Sequence, residues 1–94
     1  MWVVYSLGNR NIWFGSLQEY LKIEDILSSH NADLRRLDGF GGLFFHYFIM
    51  TEEYQKAVEK TIDDMLMKGI LNSAMEAELL SLRKVYRSGP VLMG

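Results

Sequence analysis

The chain contains no cysteine and a single proline among its 94 residues. Without thiols there is no cysteine nucleophile, no zinc knuckle, no iron–sulfur centre and no disulfide. Secreted domains of this size ordinarily rely on covalent cross-links, so their absence points to a cytoplasmic setting. A charge excess of either sign is missing too: ten Lys and Arg stand against twelve Asp and Glu, for a net charge of −2 and a pI near 5.6. Such a balance gives no overall attraction to phosphate backbones or anionic lipid. Long apolar runs are also lacking. The longest, residues 39–50, is interrupted by His46 and falls short of the roughly 18 residues that cross a bilayer. The opening MWVVYSLGNR has no basic region ahead of its apolar stretch, so the chain is expected to start as written, with no secretory leader and no membrane span.

What is present is apolar material: 49% of residues are hydrophobic, and twelve are aromatic. That suffices for one domain over residues 1–94, although at this size folding hides only about 60% of the unfolded surface. Ten of the twelve aromatics precede residue 50, whereas Met, Leu, Ala, Glu and Lys dominate the second half. The shift predicts a sheet-rich first half and a helical second half.

Residues 2–7 (WVVYSL) have the composition of a strand, and Gly8-Asn9-Arg10-Asn11 suits a tight turn into a short second strand at Ile12-Trp13-Phe14. Ser16 with Glu19 three residues on forms a capping-box pattern for a helix over 17–28. After a loop around Asp38–Gly42, residues 43–50 (LFFHYFIM) read as one strand, apolar on both faces and therefore covered on both. Thr51 then caps a helix that Gly69 terminates, and Asn72 or Ser73 opens a last helix stopped by Gly89-Pro90. Val91–Met93 is either a short edge strand or disordered. The predicted fold is a small α+β domain of order β-β-α-β-α-α, a short sheet with helices packed on it.

Chemistry-bearing constellations are sparse. His46, placed on the apolar strand, could act as a base if a pocket held it beside Asp38, Tyr47 or a serine; the simpler reading is a hydrogen-bonded core or interface histidine. His30 lies near Asp25 and Asp33 in sequence, but the five-residue step from Asp25 puts them on different helix faces. Asp38-Gly39-Phe40-Gly41-Gly42 runs into a strand rather than a helix and has no following Lys-Ser or Lys-Thr pair, so it is a connection and not a phosphate loop. Glu59, Asp63 and Asp64 are interleaved with lysines as on a solvated face. These patterns give no catalytic residue, metal ligand or cofactor site.

Arg35, Arg36, Arg83, Lys84 and Arg87 would support a nucleic-acid-binding regulator if they converged. Against this, residues 52–78 hold seven acidic and three basic side chains. The sequence points instead to a small intracellular protein-interaction or regulatory module, a homodimer or an inhibitor or accessory protein docked on a larger partner. Its expected interface comprises Trp2, Trp13, Phe14, Phe44, Phe48, Met75, Leu79, Leu82 and Tyr86, types enriched where proteins meet.

Overall fold

Alternating side chains in Trp2–Ser6 (β1) and Ile12–Gly15 (β2) pair the two strands antiparallel, Val4 opposite Trp13, in a computed structural model that describes residues 1–94. Both halves of the capping box at Ser16 and Glu19 form, and they start helix α1 (Leu17–His30). A single turn of 3₁₀ helix (Ala32–Arg35) leads to β3 (Phe40–Phe44) and β4 (Tyr47–Met50). Helix α2 (Glu52–Lys68) is capped by Thr51 and ends at Gly69, whose φ of 64° is the left-handed value that glycine adopts without penalty. Helix α3 (Ser73–Tyr86) takes Asn72, not Ser73, as its cap. The chain closes with β5 (Val91–Met93). All sheet pairs are antiparallel and the strand order is β2-β1-β5-β4-β3. The α+β class of the sequence reading holds, with two more strands than its composition announces.

The two differences have separate causes. Residues 43–50 are not one strand buried on both faces but the greater part of a hairpin, with Phe44 opposite Tyr47 and a two-residue turn at Phe45-His46. Phe45 takes φ 56°, a conformation normally supplied by Gly or Asn at such turns. Its ring is 82% exposed. Charging Phe45 therefore does not bury an unpaired charge, contrary to what a doubly covered strand would require. Because left-handed backbone costs a side-chain-bearing residue roughly 1–2 kcal/mol, Phe45→Gly is expected to raise stability by up to ~1 kcal/mol after glycine's entropy is counted. Urea titration of the two proteins checks it; a loss of stability would contradict the assigned turn.

The C-terminal segment is neither an edge nor disordered: β5 is the central strand, between β1 and β4. Val91 and Leu92 are buried, and the ends of the strand are fixed by Leu7 N–H donating to the Pro90 carbonyl and by paired Val3–Gly94 hydrogen bonds of 2.9 and 3.0 Å.

The three helices cover one face of this sheet. Val4, Trp13, Met50 and Val91 point into a core with Tyr20, Ile23 and Leu27 of α1, Val58, Ile62 and Met65 of α2, and Leu79, Leu82, Val85 and Tyr86 of α3. Each fully buried aliphatic among them contributes about 1.5–3 kcal/mol. Two polar side chains of the core are paired, whereas the buried Trp2 Nε1 and Arg83 Nε have no hydrogen-bond partner. Trp13 Nε1 donates to Glu78 at 2.8 Å, and Gln55 Nε2 donates to the Tyr86 carbonyl at 2.8 Å. At the periphery His30 meets Asp64 at 2.7 Å, joining the end of α1 to α2. His30 and Lys68 hold the Asp64 carboxyl below its ordinary value. No helix is long and apolar enough to cross a membrane.

Candidate functional site: an open sheet face and an apolar groove

Side chains alternate across a strand, so the residues between Trp2, Val4 and Ser6 must point away from the helices. The strand registers align these outward residues in two rows. One runs Ile12, Tyr5, Leu92, Ile49, Gly42 across all five strands. The other runs Phe14, Val3, Gly94, Tyr47, Phe44. Neither row contains a charged residue. Ile12, Phe14, Phe44 and Tyr47 are 51%, 61%, 44% and 41% exposed and form an apolar surface around the central Leu92, which is itself only 5% exposed. At the adjoining hairpin tip, the Phe44 and Phe45 rings stack edge to face at 4.8 Å.

A second feature lies on the helix side. The β3–β4 hairpin extends beyond the helices, leaving a groove of about 470 Å³ between it, α1 and the 3₁₀ turn. Leu17, Leu21, Leu34 and Leu37 line it together with Trp2, Phe40, Phe48 and Tyr54. Phe40 and Phe48 meet edge to face at 5.7 Å, and Trp2 lies 5.8 Å from Tyr20. The groove's one carboxylate is Glu24, which forms no ion pair. Burial pushes its carboxyl above the ordinary value, with the Tyr20 hydroxyl partly opposing. Burial first and Glu24 second push Tyr54 up to about 12.

This has a measurable consequence. A carboxyl whose folded pKa is raised destabilises the folded protein when ionised; the penalty is full at neutral pH and fades as pH falls through the raised value toward and below 4.5. Glu24→Gln is therefore expected to melt higher than the parent at pH 7 and to converge with it at pH 4. A lower melting temperature at pH 7 would show that the carboxylate is stabilised by a partner.

The chain matches no protein-family model, no curated protein and no solved structure.

The residues expected at an interface divide into three groups. Trp13, Leu79, Leu82 and Tyr86 are at most 5% exposed and belong to the core, and Met75 packs against it, so these five are turned inward within one copy. Trp2 and Phe48 line the groove. Only Phe14 and Phe44 lie on the open sheet face, where the structure adds Ile12, Val3, Tyr5, Tyr47, Ile49 and Leu92. The runs WVVYS and IWF are apolar at successive positions and do not distinguish the two faces; only the strand register does.

The other candidates separate as well. His46 is exposed at the hairpin turn, away from the groove, and Asp38 accepts a hydrogen bond from Phe40 N–H instead of facing it. His30 pairs with Asp64, not with Asp25 or Asp33, and no group of three or more His, Asp or Glu side chains is placed to hold a metal ion. Arg35, Arg36, Arg83 and Arg87 each lie within 4 Å of a carboxylate: Asp25, Asp33, Asp63 and Glu59 respectively. Of the five basic residues considered for nucleic acid, Lys84 alone has no such partner.

Proposed function

We propose that this chain is a cytoplasmic protein-interaction module that self-associates, two copies packing the open faces of their sheets together about a twofold axis. The observation that carries this reading is the pair of uncharged rows spanning all five strands. At strand spacings of about 4.8 Å the four gaps between five strands spread them over roughly 19 Å. A second copy is the occupant that the face itself specifies, because an uncharged apolar surface complements its own image and closed symmetry covers both copies at once. Facing sheets pack about 10 Å apart with interleaved side chains, and Phe14 and Tyr47 project far enough to interleave. Pairing through the free edge of β3 is less favourable, because its register is interrupted between Phe40 and Gly42. The arginines' own carboxylate partners leave a nucleic-acid role little free positive charge to work with.

The test is Phe14→Glu. Phe14 is already largely exposed in one copy, so its replacement is expected to leave the melting temperature of the isolated fold nearly unchanged. Association is expected to weaken by a hundredfold or more, since a carboxylate would be desolvated at the contact. Sedimentation should then give the 10.9 kDa of one chain. A Phe14→Glu protein that still sediments as a pair would exclude this face.

A further inference from the structure

We infer that the groove between α1 and the β3–β4 hairpin is a binding site for a small hydrophobic ammonium ion, its cationic head held by Glu24 and its apolar body lying along Leu21, Phe40 and Phe48. The site is separate from the sheet face and lies on the opposite side of the domain.

Three observations converge on that ligand. The groove's 470 Å³ is within the range of sites that enclose small molecules, and ten of its twelve lining residues are hydrophobic. Its one ionisable acid, Glu24, is half-buried, and no Lys, Arg or His of the chain pairs with it; the nearby Arg35 is instead 3.6 Å from Asp25. A partly desolvated carboxylate without a counter-ion is costly in the empty protein, and an entering cation offsets that cost. Finally, Tyr20 and Tyr54 lie beside Glu24, the three also sharing the lining of a small adjoining cavity, and the Trp2 ring is 5.8 Å from that of Tyr20. Aromatic faces attract cations through the ring quadrupole, and aromatic walls around one carboxylate are the chemistry by which alkylammonium groups are recognised. An anionic amphiphile of the same shape would meet Glu24 head on, and a neutral one would leave it unpaired. The preference is therefore set by charge and the affinity by the apolar walls.

The probes are n-octylammonium chloride, n-octanol and sodium octanoate, titrated at pH 7 into the full chain while backbone amide resonances and tryptophan fluorescence are recorded. Octylammonium is expected to bind at least about ten times more tightly than octanoate, with shifts concentrated at Trp2, Leu21, Phe48 and Tyr54. In Glu24→Gln, which should fold at least as well as the parent, octylammonium is expected to lose about tenfold while octanol binds as before. Phe48→Ala is expected to weaken both ligands together, because it shortens the wall and leaves the carboxylate in place. Equal affinities for octylammonium and octanoate, shifts outside the groove, or an undiminished ammonium affinity in Glu24→Gln would each overturn the assignment.

Discussion

Removal of residues 91–94 is expected to abolish folding. The segment is four residues at the very end of the chain, and ordinary intuition treats such tails as dispensable. Here it supplies the central strand. Without β5, the β1–β2 pair and the β3–β4 pair have no hydrogen-bonded connection, and the sheet becomes two separate hairpins. The burial of Val91 and Leu92 is worth about 1.5–3 kcal/mol each, before the ladder bonds on either side are counted. A domain of this size is stable by only about 5–15 kcal/mol in total, so losing this burial together with the ladders on both sides of the strand removes most or all of it. The truncated chain should give a collapsed amide spectrum and no cooperative melt. Retention of dispersed resonances with a sharp transition would mean that β5 is not where it is placed.

Tyr86→Ala is expected to be the most damaging single core substitution, at about 3–5 kcal/mol. The side chain is 2% exposed at the meeting point of α1, α2 and the sheet, with its hydroxyl 3.4 Å from that of Tyr20. Burial drives its phenol well above the usual range. Tyr86→Phe keeps the ring and removes only one partner of the Tyr20 hydroxyl, which retains a 3.7 Å contact to the Met93 sulfur; a cost of about 1 kcal/mol is expected. Denaturant titration of the two variants separates packing from hydrogen bonding. Equal costs would place the effect in the hydroxyl pair, and a negligible cost for Tyr86→Ala would remove Tyr86 from the core.

Elements whose starts and stops are written in side-chain chemistry were legible before any coordinates. Ser16 with Glu19, Thr51, and Gly69 each act through a local bond or a single dihedral, and each does what its type predicts. The hairpin was hidden because its turn uses Phe45 and His46, and only tertiary structure holds a phenylalanine at positive φ. Strand β5 was hidden for a different reason: three residues are too few to show a period, and its central place depends on two hairpins distant in sequence. The apolar surplus was visible, but its location was not. Tyr86 and Leu79 have the same composition-level character as Phe14, and only the packing of α3 against β1 and β2 sends them inward. Glu24 did leave a trace. It falls three and four residues after Leu21 and Tyr20, inside the apolar stripe of α1, where a carboxylate is out of place. A charged residue without a counter-ion on an otherwise apolar helix face marks a site more directly than Glu59, Asp63 and Asp64, which are half-buried and ion-paired.

The most direct measurement is the mass of the native particle by sedimentation equilibrium across a hundredfold dilution. An uncovered, uncharged sheet face should drive pairing, giving about twice the 10.9 kDa of one chain at high concentration and falling toward a single chain on dilution. A constant single-chain mass at every concentration would contradict the account.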